Sequence, residues 1–369
     1  MNFDLSKTQK MLQASAQTFF QRECPIIKIR EIIDSEQGHD KDLWTGIAEQ
    51  GWTGLILPEE HDGLALSLVD LAAVAEEMGK ACIPSPFIAS TWASTLIAAS
   101  DNSTLKQNLL PKLALGESIA TVAILEDGSN WDSTSVQLAA QPGDSGTILS
   151  GSKKLVLDAE SADTILVVAR QGTELIIAVV DKSAKGLRIN ATPGMDLTRR
   201  YYQVDFDQVA ADVLASGAIA ENALKRSTQT AAIITCADLL GGMEWVLKTT
   251  VEYAKSRQQF GKAIGSYQAV QHQCADMLLM NESARSATYY AAWALYENDP
   301  ASDEAINIAK AYCSEAARLV GNSGIQIHGG IGFTWEHDLH LYYKRAKSSE
   351  YLFGDQSHHR EQLAKLIID

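Results

Sequence analysis

Between Gly321 and Asp355 the chain reads GNSGIQIHGGIGFTWEHDLHLYYKRAKSSEYLFGD. Gln326 precedes the pair Gly329–Gly330, and the stretch ends in an aromatic-glycine-acid corner, Phe353, Gly354 and Asp355. Adjacent glycines let a backbone approach a ligand closely because no Cβ intervenes; the same pair also suits a plain tight turn. Of the carboxylates, Asp238 could remove a proton. Asp238 falls seven residues after Ala231, on the same face of a helix and about 10 Å along it. It reads first as a helix carboxylate facing a neighbour and second as a base. Glu350 and Asp355 flank the corner and read as solvated, or paired with Lys347 or Arg345. His328, His337, His340, His358 and His359 lack HxxxH or HExxH spacing, so no metal site is expected. Trp245 and Trp335 read as core or interface fillers.

The elements that must carry these residues follow from periodicity. Leu5–Glu23, Asp42–Gln50, Leu68–Met78 and Ser90–Ser100 have helical spacing, with Pro25 and Gly51 as breaks and Gly79 at a helix C-terminus, so residues 1–116 are expected to be all-helical. Over residues 117–218 the texture changes to short β-branched runs. Val122–Leu125, Ser135–Leu138, Thr147–Leu149, Lys154–Leu157, Thr164–Val168, Leu175–Val180 and Tyr202–Phe206 alternate with Gly, Asp, Asn and Ser, as strands of a sandwich or barrel do. With no crossover helices and no GxGxxG, a Rossmann domain is excluded. Over 219–369 the period of 3.6 returns in four helices, Ala223–Ser256, Ser266–Glu297, Asp303–Leu319 and Lys344 to the end, which points to a four-helix bundle. The fold class is therefore mixed α and β.

The 369 residues and 46% hydrophobic composition suffice for two or three domains. A formal charge of −15 argues against nucleic acid or an anionic membrane as the main partner. MNFDLSKTQKMLQ lacks the basic and apolar regions of a signal peptide, and no uninterrupted apolar run spans a bilayer. Five dispersed cysteines, Cys24, Cys82, Cys236, Cys274 and Cys313, with no CxxC, read as reduced cytosolic thiols.

The helix–β–helix order and several motifs resemble the flavin-dependent acyl-CoA dehydrogenase family across essentially the whole chain. LPEEHDGLALS followed by EEMGK is similar to the family's PEE-x-GG loop and next helix; VEYAKSRQQFGKAIGSYQAVQHQCADM resembles RxxFGxxIxxxQ; GIQIHGGIGFTWEHDLHLYYKRAK resembles QxxGGxGF…RDAK. The resemblance implies FAD. It also implies that the Arg and Phe of RxxFG and the Gln-x-x-Gly-Gly reach from one subunit to the adenosine-pyrophosphate half of a neighbour's flavin. The matching positions are Arg257, Phe260, Gln268, Gln326, Gly329 and Gly330. A pyrophosphate needs a guanidinium and exposed N–H groups; the plainer reading is that Arg257 caps a helix and the glycines make a turn.

The family's reaction, α,β-dehydrogenation of an acyl thioester, needs a carboxylate base. The resemblance places it in a Tyr-Glu-Gly-Thr corner after RDAK or early in the long helix before RxxFG. Phe353 and Ala231 stand at those positions, and Asp355 replaces the threonine. In the β domain, Leu125 replaces a threonine that bonds the flavin ring, and Leu155 and Leu157 replace a ring-stacking tryptophan and a hydroxyl; leucine donates no hydrogen bond. Such asymmetry resembles the base-less subunit of heteromeric acyl-CoA dehydrogenases of bacterial steroid side-chain catabolism. The implied partners are a related subunit carrying the glutamate, acyl-CoA through that complex, and electron-transfer flavoprotein as acceptor. Two alternatives stand beside this: a homo-oligomeric enzyme with a relocated base such as Asp238, and a cofactor-free scaffold.

Overall fold

The computed structural model describes residues 4–143 and 146–368. Six helices open the chain: α1 (Lys7–Glu23), α2 (Ile26–Asp34), α3 (Lys41–Glu49), α4 (Leu68–Lys80), α5 (Phe87–Ala98) and α6 (Ser103–Ala114). Ser6 and Gln9 close α1 with reciprocal side-chain-to-backbone bonds, satisfying two donors that a helix start leaves orphaned. Two of these helices escaped the sequence pattern. α2 begins directly after Pro25, because proline breaks the preceding helix yet suits a helix start. α6 follows its Asn102 cap. Gly79, expected as a helix end, lies inside α4.

The middle of the chain forms β1 (Ala120–Ala123), β2 (Ala139–Gly143), β3 (Gly146–Leu157), β4 (Thr164–Gln171), β5 (Glu174–Asp181), β6 (Leu187–Thr192) and β7 (Tyr201–Ser216). Followed round, β4, β2, β3, β7 and β5 pair in turn, and β5 pairs back to β4, closing a barrel. β1 pairs with β4, and β6 with β7. Leu149, Val167, Ile176, Val204 and Val209 fill the barrel. The expected strand Ser135–Leu138 is instead a 3-10 turn at Ser133–Ser135 leading into β2. The two short runs Thr147–Leu149 and Lys154–Leu157 are one strand, irregular in register between Lys153 and Val156, where Leu155 takes a left-handed φ of 50°. β6 was missed because only Leu187 and Ile189 of its six residues mark an inward face.

The bundle consists of α7 (Gly217–Ser256), α8 (Gln268–Tyr296), α9 (Ser302–His328), α10 (Leu339–Tyr351) and α11 (Gln356–Ile368), with a two-strand hairpin, β8 (Gln258–Gln259) and β9 (Lys262–Ala263), between α7 and α8. The expected fourth helix is thus two, broken at residues 352–355. α9 runs nine residues beyond Leu319, to His328. α7, at 40 residues, is long and apolar enough by length and composition to cross a bilayer, although Asp238 and Glu244 interrupt its apolar run, and its most apolar window is 78% buried within the protein. That hydropathy is core: Ala231, Ile234, Cys236, Ala237 and Leu240 are all buried.

Candidate functional site

Two regions of the bundle carry the expected chemistry. At one end, α7 stops at Ser256 and Arg257 turns into the hairpin. Phe260 and Gly261 form its tip with φ values of 53° and 81°, the left-handed pair that a two-residue hairpin turn demands. The Arg257 carbonyl accepts from Ile264 N at 2.8 Å, and α8 begins at Gln268. α9 ends alongside: His328 stacks on Tyr253 at 4.3 Å, one turn before Arg257. Gln326, Gly329 and Gly330 are thereby gathered with Arg257, Phe260 and Gln268 at one end of the bundle. All six are exposed, Phe260 at 93%. Arg257 enters no ion pair among the described residues, and the hairpin rather than its guanidinium terminates the helix. Gly329 has a φ of 64°, a conformation that favours glycine. Gly330 does not, and a Cβ there would meet nothing within 4 Å. The chain itself has no packing need for glycine at 330. Phe333, Leu278 and Leu279 are also exposed, and the connection between α9 and α10 carries exposed Trp335 under the Lys344 ammonium at 4.6 Å.

The second region is the corner between α10 and α11. Phe353 is buried, with a φ of 59°. Its ring meets Trp92 edge-on at 4.9 Å and Trp131 at 5.2 Å, and the Trp131 indole donates to the Tyr351 carbonyl at 2.9 Å. His359 donates from Nε2 to the Phe353 carbonyl at 3.0 Å. The fully buried Lys310 donates to the carbonyls of Ser349, Glu350 and Gly354 and to the Ser314 hydroxyl. Burial pushes its ammonium down to about 8. A cleft of about 580 Å³ opens beside this corner between α7, α9, α11 and the loop before β2, with Phe353 and Trp131 in its wall and Lys225, Gln229, Asn307 and Lys365 around it.

The carboxylates nearby have other tasks. Asp355 accepts from His358 N at 2.8 Å, opening α11. Glu350 is buried rather than solvated, 2.9 Å from Lys347 and 3.7 Å from Arg318; Arg345 is not its partner. Asp238 receives two bonds from Arg345, at 2.7 and 3.0 Å, and one from Arg199 at 2.7 Å. Burial alone would raise its pKa, but the two guanidiniums outweigh burial and hold it below the usual carboxylate value. A carboxylate bound this way is a poor base.

The β domain closes directly onto α10. Tyr201, the strand partner of Leu157, bonds through its hydroxyl to Ser348 at 2.6 Å. Arg199 bonds Ser349. Leu125 and Leu157 are packed into the main core, and Leu155 is half exposed. Leu125, Leu155 and Leu157 offer no side-chain donor to a flavin ring. The residues present therefore fit the adenosine-pyrophosphate half of FAD and do not fit its ring half. Sequence reasoning missed Lys310, Arg199 and Trp131, which act through long-range contacts. Asp158, next to Leu157, was missed as well: burial pushes its carboxyl up to about 7.

Comparison with known proteins matches residues 6–117 to "Acyl-CoA dehydrogenase, N-terminal domain" and residues 221–368 to "Acyl-CoA dehydrogenase, C-terminal domain". The chain is 30% identical over 363 residues to acyl-CoA dehydrogenase IpdE2 of Mycolicibacterium smegmatis, covering 98% of each protein. It is 31% identical to acyl-CoA dehydrogenase IpdE2 of Mycobacterium tuberculosis, covering 97% of this chain and 96% of that protein. Among solved structures, a chain of a variant of the "Tcur3481-Tcur3483 steroid ACAD" superposes with a TM-score of 0.90 at 30% identity, covering 98% of each. Butyryl-CoA dehydrogenase of Megasphaera elsdenii shares the fold, with a TM-score of 0.92 at 22% identity over 100% of each chain. With both domain descriptions matched and relatives of this identity aligned along nearly the full length, the chain belongs to the acyl-CoA dehydrogenase family.

Proposed function

We propose that this chain is the non-catalytic subunit of a heteromeric, FAD-dependent acyl-CoA dehydrogenase. One contrast carries the reading: Phe353 fills the position of the catalytic glutamate, while Arg257, Phe260, Gln268, Gln326, Gly329 and Gly330 stand exposed together at one end of the bundle. FAD supplies the hydride acceptor for α,β-dehydrogenation when bound. This chain's residues hold its adenosine-pyrophosphate half: Arg257 by charge, Phe260 by apolar contact, and Gly329 and Gly330 by allowing close backbone approach. The partner, a related subunit, contributes the base, the ring-binding hydroxyls and the thioester cleft. The paired designation Tcur3481-Tcur3483 of the steroid dehydrogenase noted above supports a two-chain assembly, and that name supports a steroid-derived acyl-CoA as substrate class. Electron-transfer flavoprotein is the proposed acceptor, and the cytoplasm the proposed compartment.

The test is expression of the chain alone and together with a base-bearing relative, followed by flavin counting per chain and acyl-CoA-dependent bleaching. The lone chain is expected to be colourless and inactive, and the co-purified pair yellow and active. Stoichiometric flavin with turnover in the lone chain would sink the assignment; a colourless, inactive pair would favour a cofactor-free scaffold.

A further inference from the structure

The connection between α9 and α10, residues 329–338, carries Gly329 and Gly330 at one end and the exposed Phe333 and Trp335 farther on. Residues 329–333 form a 3-10 turn; beyond it Thr334 N bonds to Ile331 O at 3.1 Å and His337 N to Thr334 O at 3.3 Å, and Asp338 accepts from Arg30 of α2 at 2.6 and 3.2 Å. A buried histidine also flanks it on either side. His328, 3% exposed, lies flat on Tyr253 at 4.3 Å; its Nδ1 donates to the Gly324 carbonyl at 2.8 Å, and its Nε2 has no partner. His340, also 3% exposed, sits edge-on to Trp335 at 4.7 Å, and neither of its ring nitrogens has a partner. Between them His337 touches the His328 ring at 4.8 Å and accepts from Leu339 N at 3.1 Å.

We propose that His328 and His340 form an acid-sensitive latch: buried and uncharged they hold the 329–338 loop, and taking up a proton releases it. Neither pocket has an acceptor for a second N–H. The charged groups facing His340 are Lys344 on its own helix, Arg30 from α2, Asp338 and His337. Asp338 is already paired with Arg30 at 2.6 Å, so the net surroundings repel a cation. The group facing His328 is His337, a second potential cation. Burial is the chief cause that lowers both imidazoles, opposed at His328 by its bond to the Gly324 carbonyl and reinforced by these neighbours, and it takes His340 to about 4.

The sign follows from linkage. An opened loop exposes imidazoles with an ordinary pKa near 6.5, which bind protons that the closed loop refuses. The closed form keeps its full advantage above that value and loses it as pH falls toward the depressed folded values. Within that window the opening equilibrium rises about tenfold per pH unit through His340, and His328 adds to the rise in the same direction. That the loop serves a partner's flavin rests on the proposed function above; the latch itself belongs to this chain alone.

The test is amide hydrogen exchange over residues 329–338 in the lone chain at pH 7.5 and pH 5.5, corrected for intrinsic exchange, in the parent and in the His328→Phe/His340→Phe variant. In the parent, opening is expected to increase about tenfold or more; in the variant it should stay flat. An unchanged parent, or a variant that responds as the parent does, overturns the latch. Should the variant not fold, an NMR titration of the parent decides: both imidazoles are expected to titrate below the ordinary value near 6.5, and a midpoint at or above that value for both overturns the proposal. Neither measurement needs a partner or flavin, so failure here is separable from failure of the subunit assignment, which flavin counting decides.

Discussion

The ammonium of Lys310, on α9, lies 2.9 Å from the carbonyl oxygen of Gly354 in the corner after α10. The same nitrogen serves Ser349 and Glu350, whose carbonyls lie at the open end of that helix. One buried cation thus satisfies acceptors that a helix C-terminus leaves orphaned and sets the path that puts Phe353 against Trp92 and Trp131. Lys310→Met retains the stem and removes the donors. Leaving several buried carbonyls unpaired is expected to cost roughly 3 kcal/mol, read as a lower urea midpoint, together with altered tryptophan fluorescence from the cluster of Trp92, Trp131 and Phe353. An unchanged midpoint would mean that the corner is held by packing alone.

Asp238 separates a structural carboxylate from a catalytic one. Held by Arg345 and Arg199, it ties α7 to α10 and to the segment before β7. Asp238→Asn leaves two guanidiniums short of their counter-ion, an expected loss of about 3–5 kcal/mol. Because its folded pKa is depressed, the stabilisation is present in full above the ordinary carboxylate value near 3.8 and fades as pH drops through the lower folded value. The gap between parent and variant should therefore be constant from neutral pH down to about 5 and narrow below about 4. A variant of parental stability that abolished an activity of the lone chain would instead identify Asp238 as a base.

Arg257 should show the opposite profile. Its side chain is exposed and makes no ion pair among the described residues, so Arg257→Ala should change the lone chain's stability by no more than about 0.5 kcal/mol. In the assembled dehydrogenase the same change removes a charge-assisted contact to pyrophosphate, worth about 1.5–3 kcal/mol, and flavin affinity should fall roughly 10- to 150-fold by titration. Equal flavin affinity in parent and variant would remove Arg257 from the cofactor site.

Phe353→Glu restores the missing carboxylate in name only. The new side chain would lie between two tryptophans, where burial raises its pKa, and Leu125, Leu155 and Leu157 would still provide no donor to a flavin ring. No turnover is expected from the lone chain carrying this change, and thermal stability should drop by several degrees, as about 2–3 kcal/mol of aromatic burial is exchanged for a buried acid. Full activity from that single replacement would show that the ring site had been intact all along.

What could be read from the sequence, and what could not, divides by range. The helical domain, the barrel and the bundle show in periodicity, which reports each segment's own buried face. The residues proposed to reach a flavin sit in two contiguous motifs, so their grouping at one end of the bundle was legible as well. Lys310, Arg199 and Trp131 act on partners 39, 150 and 220 positions away, and nothing local marks them; Lys310 sits in an ordinary helical pattern, and Trp131 in what reads as a polar turn. β6 failed for a different reason. Its alternation, Leu187 and Ile189 against the barrel with Arg188 and Asn190 outward, is only about two repeats long, too short to stand out from a turn.

Gly79 joins both lessons. Placed near a helical stop, it reads as a C-terminal glycine, and helix propensity alone would make Gly79→Ala favourable by about 1 kcal/mol. In the folded chain it lies inside α4 against α7, where a Cβ would come within 1.9 Å of the Asp238 carbonyl oxygen. Across the same crossing, a Cβ on Gly241 would fall 1.8 Å from the Glu76 carbonyl oxygen. The atoms in the way are backbone on both sides, so neither clash can be relieved by a rotamer; the helices must separate. Separation would also pull Asp238 from Arg345 and Arg199. Gly79→Ala is therefore expected to destabilise by at least about 2 kcal/mol, the overpacking outcome, and Gly79→Ala/Gly241→Ala by more than either change alone. Thermal unfolding of the single variants and the double variant measures this, and a stabilised Gly79→Ala protein would show that the two helices do not approach this closely.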